Sequence, residues 1–192
     1  MAESLTIDKR KSALVIIDLQ KGIASMRTMP YEAGTVVGNA AKLAAAFREN
    51  HMPVFLVHVV SSEADRLNIS ADEQMPSRGQ PMPKDWSEFV PELNKSESDI
   101  VITKKQWGAF YGTELELQLR RRKVDTIVLC GIATNYGVES TARFAYEYGF
   151  HQIFAEDAMS SMTKEMHDAS INYALKRMGR VRKTDEIIKS IG

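Results

Sequence analysis

Five short runs of continuous apolar residues, each separated from the next by a longer amphipathic or polar stretch, constrain this chain more than any other feature. They are Ala13 to Ile17 (ALVII), Pro53 to Val60 (PVFLVHVV), Asp99 to Thr103 (DIVIT), Asp125 to Cys130 (DTIVLC) and His151 to Ala155 (HQIFA). A weaker sixth is Arg180 to Arg182 (RVR). A strand that is apolar without alternation must be covered on both faces, which is the condition of a parallel sheet between layers of helix. The intervening patterns are helical. Thr35 to Glu49 places Val36, Ala40, Leu43 and Phe47 on one stripe. Thr113 to Arg121 (TELELQLRR) alternates like a strand, but the Gly-Thr before it and its basic end favour helix. Gly137 to Tyr148 and Thr163 to Met178 supply two more; Thr163 is followed three residues on by Met166 rather than Glu, a partial capping box. Strand and helix in repeated alternation imply right-handed crossovers. The expectation is an α/β fold: one domain over residues 1–192, three-layered and doubly wound, with a mostly parallel six-stranded sheet and helices on both faces.

Charge excludes some functions. Lys plus Arg and Asp plus Glu number 25 each in 192 residues, so no global field draws the chain to nucleic acid or anionic lipid. The run RRRK, Arg120 to Lys123, ends a predicted helix, where cations complement the helix dipole, and reads as a solvated helix end. A single cysteine, Cys130, forbids an intrachain disulfide and suits a reducing compartment. The opening MAESLTIDKRKS is charged where a signal peptide is apolar, and no apolar run approaches the roughly 20 residues of a membrane span. A cytoplasmic location is expected, with a small molecule as partner rather than nucleic acid or membrane. Ser61 to Glu97 is polar, rich in proline and long, the mark of a binding loop, lid or oligomer contact. Its Met82, Trp86 and Phe89 serve either such a contact or a local cluster under the loop.

In open parallel sheets, ligands bind beyond the carboxyl ends of the strands, where strand order reverses. That rule selects Asp18, Lys104 or Lys105, and the turn Gly131 to Gly137. Each has a plain alternative: Asp18 as a turn cap, the lysines as a solvated strand end, the glycines as packing devices. Their joint position at strand ends raises the functional reading. A backbone N–H at a helix start there is a donor for an oxyanion or carboxylate. His51, His58, His151 and His167 lack the spacing of a metal site, and His58 reads as a satisfied strand histidine. No Gly-rich phosphate loop or dinucleotide fingerprint follows a strand. Neither metal nor cofactor is expected.

The blocks ALVIIDLQKGI, PVFLVHVV, KKQWGAFYGTELELQLRRRKVDTIVLCGIATN, GVESTARFAYEYGF and AEDAMSS stand in an order that resembles the isochorismatase-like hydrolases, also called the cysteine hydrolase family. QWGAFYGT and GVESTAR are most like an uncharacterised bacterial subgroup. The resemblance implies an aspartate after the first strand, Asp18, and a lysine six residues before Phe110, hence Lys104 rather than Lys105. It implies a cysteine opening the helix after the fourth strand, and that position is Gly137. It further implies a non-proline cis peptide at Ile132–Ala133, an oxyanion hole from the N–H groups of Ala133 and Gly137, and a homo-oligomer. Metal-binding members carry an Asp-x-His pair after the first strand, and none stands here.

Without a thiol, the family's acyl-enzyme route is closed, and Cys130 lies seven residues too early, inside an apolar run. Isochorismatases proper also have glycine at this position. They cleave a vinyl ether with the aspartate as acid and no protein nucleophile. Lys104 opposes a protonated Asp18, whereas burial in a pocket walled by Trp107, Phe110 and Tyr136 favours it. The turn here reads GIATNYG rather than the GVYAHxG type of isochorismatases, so the substrate itself does not carry over. The expected ligand is small, planar and anionic, held by Lys104, the N–H groups of the turn, Thr134 and Asn135. Two functions compete: a hydrolase using Asp18 as acid or base, and a pseudoenzyme that binds a small molecule without turning it over.

Overall fold

The computed structural model describes residues 5–60, 62–65, 67, 69–73 and 82–192. The elements run β1 (Ser12–Ile17), α1 (Lys21–Ala24), α2 (Ala33–Glu49), β2 (Val54–Val59), β3 (Ile100–Lys104), α3 (Leu115–Arg121), β4 (Thr126–Ile132), α4 (Glu139–Glu147), β5 (His151–Ser160), α5 (Lys164–Ala169), α6 (Lys176–Met178), β6 (Arg180–Arg182) and α7 (Thr184–Lys189). Two stretches of wide, π-type helix, Thr134–Val138 and Ser170–Leu175, lead into α4 and α6. Each apolar run of the sequence is a strand, and β1 is buried along its whole length.

The six strands form one sheet in the order β3-β2-β1-β4-β5-β6, every neighbouring pair parallel. From β1 the chain winds outward to β3, then crosses to β4 and winds outward in the other direction. Right-handed crossovers in opposite directions put their helices on opposite faces. On one face α2 packs against β1, β4 and β5 and against α7; on the other α4 packs on β5 and on the helices that follow it. The reversal of strand order falls between β1 and β4. Phe47, Phe55, Phe154, Leu14 and Ile16 are fully buried in the two interlayer cores, each such side chain stabilising the fold by roughly 1.5–3 kcal/mol.

Four elements differ from the sequence expectation. β5 continues to Ser160 instead of ending at Ala155, because its register against β4 jumps from Leu129–Phe154 to Gly131–Met159. Residues 155–158 therefore bulge out of the ladder, which lets Asp157 cap α7: its Oδ1 accepts from the Thr184 N–H (2.7 Å) and hydroxyl (2.8 Å). The helix expected over Thr163 to Met178 is divided by the wide turn at 170–175, although Thr163 caps its start by accepting from Met166 N–H. The short helices α1 and α7 have no counterpart in the periodicity, being too short to show it.

The long connection before β3 is partly anchored. Lys21 pairs with Asp85 (3.0 Å) and Glu88 (2.8 Å), and the Trp86 ring lies over Gly22, where a Cβ would fall 1.9 Å from it. Phe89 stacks on His58 at 4.8 Å, and the two ring nitrogens of His58 are taken by Ser87 O and Thr103 Oγ1. Trp86 and Phe89 are thus packed on their own chain; of the prolines in this segment, Pro76 and Pro81 lie outside the described residues. Among the described residues no helix is long and apolar enough to cross a membrane.

Candidate active site

Asp18 directly follows β1 and leaves the strand with φ +56°, a left-handed conformation that Asp tolerates better than most residues. Its N–H still bonds Val57 O (2.9 Å), so the carboxylate is turned out over the end of the sheet from a fixed backbone. Lys104 closes β3, two strands away. Neighbouring strands lie about 4.8 Å apart, so only a long side chain spans the distance. Lys104 does so, and its Nζ reaches Asp18 Oδ2 at 2.8 Å while donating to Gln106 O at 3.0 Å. Lys105 points the other way and pairs with Asp65 (3.0 Å) at the surface.

Both members of the pair are buried, Asp18 at 4% and Lys104 at 2% exposure. Burial pushes the Asp18 carboxyl up to about 6, outweighing the Lys104 charge and hydrogen bond that pull it down. The sequence leaves these two effects opposed; the depth of the site favours burial. Asp18 Oδ1 is buried and has no hydrogen-bond partner, a costly condition unless a proton or ligand meets it.

The third component is the turn after β4. Gly131 pairs with Ile17 at φ +128°, and a Cβ there would lie 2.0 Å from Ile17 O, so this glycine is required by packing. The Ile132–Ala133 peptide is cis. Ala133 O then accepts from Tyr136 and Val138 N–H (3.2 Å each), closing the wide turn that delivers Gly137 to Asp18. A Cβ on Gly137 would stand 3.0 Å from Asp18 Oδ2 and 2.9 Å from Ile17 Cγ2. The carboxylate occupies room that a side chain at 137 would need.

The remaining expected site residues divide. Tyr136 and the Trp107 ring meet at 5.0 Å, and the Trp107 backbone carbonyl lies 3.6 Å from the Cβ position of residue 137. Phe110 is turned away: its buried ring packs on Tyr148 and Phe150 beyond the far end of α4, and it does not wall the site. Thr134 is fully buried and bonded to His167 Nδ1 (2.9 Å), while Asn135 accepts from the Ser161 hydroxyl. Cys130 is buried, and burial pushes its thiol far up, so it is no substitute nucleophile. Among the described residues no group of three or more His, Cys, Asp or Glu side chains could hold a metal ion.

Gln20 was not legible as a site residue. It is fully buried, donates to Val59 O (3.2 Å) and Trp86 O (3.3 Å), accepts from Val59 N–H (2.8 Å), and so fastens the Asp18 segment to β2 and the long connection. A polar residue closing an apolar run two places after the acid is the only signal the sequence offers. Two surface cavities, of about 390 Å³ beside His167 and Lys183 and about 380 Å³ beside His58 and Phe89, include none of Asp18, Lys104 or Gly137. The buried pair is therefore set apart from both of these hollows.

The isochorismatase domain model matches residues 12–186, and with it the question of family closes. The chain belongs to the isochorismatase family. The isochorismatase family protein YwoC of Bacillus subtilis (strain 168) is 48% identical over 192 residues, all of both chains. YecD of Escherichia coli O157:H7, named in the same way, is 49% identical over 187 residues, 97% of this chain and 100% of that one. An isochorismatase family protein from Burkholderia thailandensis superposes with a TM-score of 0.91 at 38% identity, covering 98% of this chain and 99% of its own. The chain is therefore an isochorismatase-like hydrolase by family, with the family's α/β sheet.

Proposed function

We propose that this isochorismatase family protein hydrolyses a small, planar, anionic substrate at a vinyl ether or similar bond, with Asp18 as general acid and no covalent intermediate. One observation carries the reading: Asp18 Oδ1 is buried and unpartnered while Oδ2 is held by Lys104. A carboxyl so placed, raised to about 6, holds its proton at one oxygen up to about two pH units beyond an ordinary aspartic acid and is oriented through the other. In the reaction Asp18 gives its proton to the enol carbon, forming a C–H bond and an oxocarbenium ion. Water adds to that ion, the adduct loses its alcohol, and a proton returns to Asp18. Gly137 leaves the Asp18 carboxyl its room and contributes its N–H, with Ala133 N–H and the Asn135 amide as further donors to the substrate's anionic group.

A second reading has an observation of its own. Asp18 and Lys104 neutralise each other at 2.8 Å, so the pair also suits a pseudoenzyme that binds a small anion without converting it. A panel of 2-ethoxyacrylate, simple amides and ureas separates the two. The proposal expects pyruvate and ethanol from 2-ethoxyacrylate with wild type, and none with a folded Asp18→Ala variant. Gly137→Cys is expected to acquire amide hydrolysis if the remaining thiol machinery is intact. Binding of 2-ethoxyacrylate without turnover would leave the pseudoenzyme reading standing.

A further inference from the structure

Beyond the Asp18–Lys104 pair, a buried chain of titratable groups reaches the reacting turn. Thr134 Oγ1 and His167 Nδ1 are 2.9 Å apart, and His167 Nε2 lies 3.4 Å from Glu156 Oε1. Thr134 is 0% and His167 1% exposed. The Tyr31 hydroxyl lies 3.0 and 3.1 Å from the two Glu156 oxygens, and Lys183 pairs with the same carboxylate. Lys183 also donates to Tyr31 Oη (2.6 Å), and the Tyr31 ring stands edge-on to His167 at 6.1 Å. Four separate segments thereby converge on the first residue of the turn, and Glu156 reaches them because it sits on the bulge of β5.

We propose that Glu156 and His167 are a positioning pair: Glu156 accepts the Nε2 proton of a singly protonated His167, whose bare Nδ1 accepts the hydroxyl proton of Thr134. For an imidazole carrying one proton the direction follows from donor chemistry. A carboxylate can only accept, and a neutral imidazole that donates from one nitrogen must accept at the other. Glu156 is held as a carboxylate: burial alone would raise it, but His167, Lys183 and Tyr31 together bring it down to about 2. Thr134 then has no proton left for a ligand. The turn offers its backbone N–H groups and the Asn135 amide nitrogen, since the Asn135 oxygen is taken by Ser161.

The order carboxylate, imidazole, hydroxyl is also that of a nucleophile triad. Full burial of Thr134, with its hydroxyl directed at α5, and the long Glu156–His167 contact favour positioning. The two roles separate experimentally.

The test is ¹⁵N NMR of the full chain labelled at histidine, with the His167 signals identified by their loss in His167→Asn. The pair predicts Nδ1 in the unprotonated range and Nε2 in the protonated range. It predicts that Thr134→Ser preserves this pattern, that Thr134→Val moves Nδ1, and that Glu156→Gln mixes the tautomers. The wild-type spectrum alone decides the main point, so a misfolded variant does not remove the test. Protonated Nδ1 in wild type, or a pattern indifferent to both Glu156→Gln and Thr134→Val, overturns the proposal. A second arm rests on the hydrolase reading: with 2-ethoxyacrylate, His167→Asn should lower kcat roughly 10²-fold at unchanged KM, the scale of a small misplacement of reacting groups. A wild type inactive on that probe would count against the hydrolase reading and leave the NMR result to decide this one. A covalent acyl adduct on Thr134 after incubation with p-nitrophenyl acetate would overturn positioning in favour of nucleophilic catalysis.

Discussion

At the scale of single residues, Asp18 and Gly137 belong together. A Cβ at 137 meets both the carboxylate and Ile17, so Gly137→Ala should destabilise by about 1–3 kcal/mol, read as a lower urea midpoint at unchanged slope. Wild-type stability serves as the reference, because the loss comes from overpacking rather than from backbone strain. Asp18 also makes a pH prediction whose sign is opposite to that of most carboxylates. Its folded value, about 6, lies above the ordinary 3.8, so between these limits the folded state binds more protons than the unfolded. Stability from this group is therefore full below pH 3.8 and falls as pH rises to about 6, by on the order of 3 kcal/mol. Urea melts of wild type and Asp18→Asn should show that slope in the first and its absence in the second. Under the proposed mechanism, kcat/KM on 2-ethoxyacrylate should fall tenfold per pH unit above about 6, because the acid form is lost.

Secondary elements set where those residues stand. Lys104 reaches Asp18 only because β3 ends level with β2, a register shown by the Val59–Lys104 pairing. The start of β3 is fixed by Arg48 of α2, whose guanidinium bonds Asp99 at 3.0 and 2.7 Å and Leu93 O at 3.1 and 3.2 Å. Asp99 is 1% exposed at its side chain. Removing one partner leaves the other charge poorly matched, so Asp99→Ala should cost about 3–5 kcal/mol in chemical denaturation. The strands were legible because their apolar runs are continuous, and α2 because its stripe repeats over four turns. The bulge of β5 was not legible. AEDAMS continues the strand, and nothing in those letters tells that Glu156 and Asp157 leave the ladder to meet His167 and Thr184. Phe110 failed as a pocket residue for a related reason: its place in a sequence block near Lys104 says nothing about the direction of its ring.

Across the whole molecule, 25 basic and 25 acidic residues leave no net charge at neutral pH. Solubility should pass through its minimum near pH 7 and rise on either side, measurable by light scattering across a pH series at low ionic strength. The balance also leaves local pairs to do the electrostatic shaping, and the one at the centre of the candidate site is buried. By itself the sequence determined the parallel sheet, the order of strands and helices, the strand ends where Asp18, Lys104 and Gly137 lie, and the want of a thiol there. It could do so because periodicity and residue type are local properties, and the topology of right-handed crossovers follows from them. Only the tertiary structure decided that burial at Asp18 outweighs the pull of Lys104, that Phe110 faces elsewhere, and that Thr134 is tied through His167 to Glu156. Those are matters of depth and direction, and both arise when segments far apart in sequence close around one point.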